Sequence, residues 1–83
     1  MNKYSKEEII DLILDNVIKE TKIEKKDIDI NLPISKLEMD SIAVTALCVT
    51  LEKKLNTPVK PYIAWDYPTI AKMAAFLATQ TSG

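Results

Sequence analysis

Apolar residues recur along the chain in distinct rhythms, and each rhythm predicts a different backbone. The first follows Ser5-Lys6-Glu7-Glu8, which has the form of a capping box. A serine hydroxyl there can accept the amide three residues on, while the glutamate reaches back to the serine amide. Beyond it Ile9, Ile10, Ile13, Leu14, Val17 and Ile18 stand at steps of three and four, with Asp11, Asp15 and Lys19 opposite. That spacing predicts a helix ending near Lys19 or Glu20. From Thr21 to Asp40 the step shortens to two, with Ile28, Ile30, Leu32 and Ile34 alternating with polar or turn residues. Alternation alone would suggest a half-buried strand, but Pro33 and the lack of a second strand-like run weigh against it. The prediction is a loop pinned across the helices by its alternate apolar residues, with a helical turn near Glu24 to Lys26. A loop of about twenty residues is long for a small domain, and such loops are more often functional than incidental.

The helical rhythm returns after Asp40, an N-cap residue type, with Val44, Leu47, Cys48, Leu51 and Leu55 on one stripe. A second helix is predicted from about Ser41 to Leu55, stopped by Asn56, which tolerates the left-handed conformation, and by Pro58. Pro61 and Pro68 bracket a segment that has room for only one or two turns, the third helix. Asp66-Tyr67-Pro68-Thr69 then opens a fourth, with Ile70, Met73, Ala74 and Leu77 on one face and Phe76 at its edge. Thr79 to Gly83 is polar and expected to fray. The fold class is all-α: a four-helix bundle of three longer helices and one short third helix, a single domain over residues 1–83 with its core in about 6–78.

Composition narrows what such a bundle can do. A chain of 83 residues leaves much of its surface exposed, which disfavours a deep private active site. One glycine rules out a glycine-rich phosphate loop. Net charge is −1 and the lysines are scattered, so no basic stripe follows a nucleic-acid backbone. The charge is uneven: Met1 to Asp40 holds ten acids against seven bases, and the remainder two acids against four bases. There is no histidine and a single cysteine, Cys48, so zinc sites, Cys-His nucleophiles and intrachain disulfides all lack their parts. Cys48 lies on the apolar stripe and reads as a small hydrophobe. No long apolar run or secretory leader is visible, so no membrane span is expected and the cytoplasm is the default location. Tyr62, Trp65 and Tyr67, at a short helix joint, read as packing residues, with flanking a bound chain or a partner as the alternative.

Ser41 is the candidate for chemistry. Local physics makes an Asp-Ser pair at a helix start a capping element. No base accompanies the serine, so it is not an autonomous nucleophile, but another enzyme could act on its hydroxyl. A phosphoester there would meet free amides and the positive end of a helix dipole, with Glu38 and Asp40 as opposing charges.

Two segments carry a family resemblance. "LPISKLEMDSIAV" resembles the Asp-Ser-Leu/Ile segment of acyl carrier proteins, and "WDYPTIAKMAAFLA" is similar to the Phe-Asp-Tyr-Pro-Thr-Ile segment that opens the last helix of polyketide-synthase carrier domains. Their order and spacing match, and the four-helix layout agrees over about Lys6 to Ala78. The resemblance implies a carrier and not an enzyme. In it Ser41 bears a covalent 4′-phosphopantetheine, placed by a phosphopantetheinyl transferase from coenzyme A with Mg²⁺, whose thiol holds acyl groups as thioesters. The implied partners are that transferase, an acyl-activating ligase or acyltransferase, and a ketosynthase or other polyketide-pathway enzymes. The implied state is a monomer, and the start at Met1 reads as a free-standing protein, though an excised domain would look alike. The residues implied in docking are Asp40, Ile42, Thr45, Val49 and, on the third helix, Ile63.

The chain departs from the family pattern twice. Glu38 stands where glycine is usual, so the backbone there is either ordinary or strained by about 1 kcal/mol. The second helix shows Thr45, Ala46, Val49 and Thr50 where carriers of bacterial fatty acid synthesis show acids. The alternatives are a peptidyl carrier, which typically has Gly-Gly-His-Ser at this place, and a small helical adaptor that is never modified and binds another helix through Ile42, Thr45 and Val49.

Overall fold

Both halves of the capping box at Ser5 form: its Oγ accepts the Glu8 amide at 3.1 Å, and the Glu8 carboxylate accepts the Ser5 amide at 2.9 Å. From that start helix α1 runs over Lys6–Thr21. The structure, a computed structural model, describes residues 4–81. Lys22 ends α1 in the left-handed conformation, φ 64°, with its amide donating to the Ile18 carbonyl. Ile9, Ile13, Leu14 and Val17 are buried, as their spacing predicts, while Ile10 and Ile18 at the edges of the stripe are half-buried.

The segment between Lys22 and Asp40 is a loop with two short 3-10 turns, Lys25–Asp27 and Ile34–Leu37. The first lies one residue on from the expected turn, and the second was not expected. Its alternation is only partly realised: Ile28 and Ile34 are buried, Ile30 is half-buried and Leu32 is exposed. The reason is that the segment is not a strand. An isolated bridge joins Pro33 to Thr69, and two hydrogen bonds fix the crossing there. The Ile34 amide donates to the Pro68 carbonyl at 2.7 Å, and the Ala71 amide donates to the Ile30 carbonyl at 3.0 Å. Thr69, itself buried, accepts the Lys72 amide on its Oγ1 and so caps the last helix.

Helix α2 spans Ser41–Leu55, α3 is the single turn Ile63–Asp66, and α4 spans Ile70–Thr81. Asn56 takes the left-handed stop after α2, φ 52°. The Glu52 carboxylate then accepts the Val59 amide at 2.9 Å, tying the next loop back onto the helix. Val44, Leu47, Cys48, Leu51 and Leu55 from α2 meet Ile70, Met73, Ala74 and Leu77 from α4 and the α1 stripe in one core. α4 continues through Thr79, where fraying was expected; Ser82 and Gly83 lie outside the described residues. Among the described residues no strand forms, and no helix is long and apolar enough to cross a membrane.

Candidate functional site

Ser41 is the first residue of α2, but it is not the cap. Asp40 is: its backbone is extended, and its Oδ1 accepts the Ala43 amide at 2.8 Å while its carbonyl accepts the Val44 amide. The serine hydroxyl is therefore free of the role its position suggested. It is exposed and makes no hydrogen bond within the described residues. The amides of Ser41 and Ile42 likewise make none, so two unpaired donors sit at the positive end of the α2 dipole beside that hydroxyl. An oxygen-linked phosphate fits this arrangement. The adjacent carboxylate of Asp40 and the nearby Glu38 oppose it electrostatically, so a covalent link suits the place better than unaided anion binding.

The loop before Ser41 holds it in the open. Leu37 is buried, Glu38 turns the chain and Met39 is half-buried. Glu38 has φ 57° and ψ 33°, so the backbone does require the left-handed conformation there. A residue with a Cβ adopts it at a cost of about 1 kcal/mol relative to glycine. The backbone there is one that favours glycine, and this chain meets it with a strained glutamate.

Ser41 edges an open cleft of about 580 Å³ between the Pro33–Met39 segment, the first turn of α2 and the α3 region. Its walls are Pro33, Ile34, Met39, Val44, Ala64, Trp65 and Pro68, with Ser35, Asp40, Thr45 and Pro61 completing the rim. Of the proposed docking residues, Ile42 is 80% exposed and Val49 is 49% exposed, with Thr45 exposed between them. The Thr45 hydroxyl donates back to the Ser41 carbonyl at 2.8 Å. From Ser41 to Leu51 the helix carries no charge. Asp40, exposed, is engaged as the cap.

Ile63 is a correction. It is buried, 4% exposed, and lines a separate recess of about 240 Å³ with Val59 and Leu77 instead of the cleft at Ser41. A one-turn helix anchors itself by a single inward residue, and in α3 that residue is Ile63. The outward residues are Tyr62 and Trp65, which the sequence suggested were packed and which are 63% and 74% exposed. Tyr67 does pack, its ring stacked on Phe76 at 4.4 Å. The signal that could have revealed Trp65 is the proline bracket, since a turn so short has room for few inward side chains.

Cys48 is buried, with its Sγ 3.8 Å from the Lys60 carbonyl oxygen. Burial pushes its thiol above the ordinary value, with the nearby Glu52 charge adding to the effect. It is set apart from the cleft as a packing residue.

The Ser41 hydroxyl thus stands uncommitted at a helix start capped by its neighbour, on the lip of a mainly apolar cleft. The family model described as the phosphopantetheine attachment site matches residues 11–77, so the chain belongs to that family. Members carry 4′-phosphopantetheine covalently, and they work with a phosphopantetheinyl transferase and synthase enzymes. The sequence relatives are of polyketide-synthase type. The 5-methyl-1-naphthoate synthase of Streptomyces sahachiroi is 33% identical over 69 residues, covering 83% of this chain and 4% of that protein. The mellein synthase of Phaeosphaeria nodorum is 34% identical over 55 residues, 66% of this chain and 3% of that protein. Among solved structures, a free-standing peptidyl carrier protein from a secondary metabolic pathway of Acinetobacter baumannii superposes with a TM-score of 0.87 at 30% identity, covering 95% of this chain and 98% of that one. The HMG-ACPI domain of the CurA module from Lyngbya majuscula superposes with a TM-score of 0.85 at 22% identity, covering 99% and 83%, a likeness of fold.

Proposed function

We propose that Ser41 is the attachment point and that the chain carries acyl intermediates without catalysing their chemistry, in polyketide or related natural-product biosynthesis. The observation that carries this is the uncommitted Ser41 hydroxyl inside the matched segment, exposed beside two unpaired amides. The bound group supplies a terminal thiol that holds the acyl chain as a thioester. The protein's own residues do the rest. Asp40 starts the helix and keeps the hydroxyl accessible, Glu38 turns the loop clear of it, and Ile42, Thr45 and Val49 give partners an uncharged docking face. With no histidine and with Asp40 engaged at the cap, the proton of the Ser41 hydroxyl leaves to a base on the modifying enzyme. Loading falls to an acyl-activating ligase or acyltransferase, and a ketosynthase or similar pathway enzyme receives the acyl group. A monomer in the cytoplasm fits this role.

Incubation with coenzyme A, Mg²⁺ and a broad-specificity transferase, read by intact mass, tests the assignment. The expected result is a gain of one phosphopantetheine that Ser41→Ala abolishes. No gain in the wild type, or a gain that survives the substitution, would falsify it.

The likeness to the free-standing peptidyl carrier favours one second reading, an aminoacyl cargo. Offering the modified protein to an acyl ligase and to an aminoacyl-activating enzyme separates the two. Acyl loading alone is expected, and aminoacyl loading alone would establish the rival.

A further inference from the structure

Trp65 is an expensive residue to leave in water, and nothing in the described chain covers it. It stands at the cleft that Ser41 edges, and the other walls share a character. Pro33, Pro61 and Pro68 contribute proline rings to the lining and Met39 a polarisable thioether, and Asp40 is the one charged residue of the lining. Indole and proline faces offer flat apolar contact, and a thioether sulfur packs favourably on aromatic rings. The cleft volume of about 580 Å³ is within the range of small-molecule sites. At the bundle centre Leu47, Leu51, Met73 and Leu77 are each 1% exposed and belong to one packed cluster. An open slot suits a short flat group. A flexible saturated chain laid there keeps one side in water and loses rotamer freedom.

We propose that this cleft is the resting site for a flat unsaturated acyl group, aryl or polyenoyl, borne on the arm at Ser41, with Trp65 the residue that selects it. The inference rests on the attachment reading above and adds the class of cargo. Because Ser41 lies on the cleft's edge, a tethered group meets the walls at high effective concentration, and weak contacts are enough to populate the site. Buried apolar area does not choose between aryl and alkyl groups of equal size. Stacking does, raising occupancy about three- to tenfold for the flat cargo.

The test loads the full chain with non-hydrolysable cinnamoyl and hexanoyl forms of the arm, checks each by intact mass, and measures NMR cross-relaxation between cargo protons and Trp65, Val44 and Ala64. The cinnamoyl contacts are expected to be stronger than the hexanoyl contacts by at least roughly threefold. Trp65→Leu, at an exposed position that leaves the core untouched, is expected to load equally and to reduce the cinnamoyl contacts at Val44 and Ala64 to the hexanoyl level. Normal loading with no cargo contact at the cleft, or equal contact by both cargoes, overturns the proposal. Discrimination that persists in Trp65→Leu overturns the role given to Trp65. A wild type that gains no mass overturns the attachment reading itself, so the two failures are distinguished by the mass measurement.

Discussion

The chain begins two helices with a serine close at hand, and it uses the two serines in opposite ways. At α1 the serine is the cap: Ser5 Oγ is occupied by the Glu8 amide, and the Glu8 carboxylate closes the box. At α2 the serine stands one residue inside, and Asp40 has taken the capping bond to the Ala43 amide. Capping by the neighbour leaves the Ser41 hydroxyl without an internal partner while the helix start stays fixed. The difference shows why an Asp-Ser pair, and not a serine alone, suits a modification site. A serine that must cap its own helix cannot offer its hydroxyl without loosening the backbone that presents it.

Substitution at the caps should separate the two roles most widely. Ser5→Ala is expected to cost about 1 kcal/mol of stability in denaturant unfolding and to leave transferase modification unchanged. Ser41→Ala is expected to stay within about 0.5 kcal/mol of the wild type, because its hydroxyl caps nothing, yet to abolish modification. Asp40→Ala should do both, losing about 1 kcal/mol and slowing modification as the first turn frays, whereas Asp40→Asn keeps the cap within a few tenths of that energy. If Ser41→Ala destabilises as much as Ser5→Ala, the contrast fails.

A smaller effect sharpens the α2 side. Glu38→Gly should stabilise the protein by about 0.5 kcal/mol, the relief of the left-handed strain exceeding the entropy a glycine adds to the unfolded chain. A loss of stability in equilibrium unfolding would show that the glutamate side chain contributes more there than its backbone costs.

The smallest expected effect is on pH. The folded Cys48 thiol titrates above its unfolded value, so between the two the native state binds the extra proton and stability falls as pH rises. Stability from this group is complete below the ordinary thiol range near 9 and declines above it. Urea midpoints measured from neutral pH upward should show the decline in the wild type and less of it in Cys48→Ala. Equal slopes would remove the thiol from the account.

Much of this molecule can be read from spacing alone. The capping box, the stripes of α1, α2 and α4, the Asn56 stop and the proline bracket around α3 are local features, each set by a few neighbouring residues. What could not be read depends on contacts across the chain. The Ile34–Leu37 turn is held by the Pro68 carbonyl more than thirty residues away, so Leu32 breaks the alternation that periodicity suggested. Glu38 was misleading in the opposite sense, since its residue type argues against the left-handed backbone that the loop imposes. Ile63 and Trp65 exchange their expected places because a single helical turn is too short for periodicity to assign an inner face. Ser41, Ile42, Thr45 and Val49 stand exposed, while the cleft comes only from the meeting of loop, α2 and α3.

The most direct measurement is fragment-ion mapping of the singly modified wild-type protein, which resolves the hydroxyl that carries the added phosphopantetheine. The account predicts that all of it resides on Ser41 and none on Ser5 or Ser35. A modified residue other than Ser41 would contradict it, and so would modification divided between the two helix-start serines.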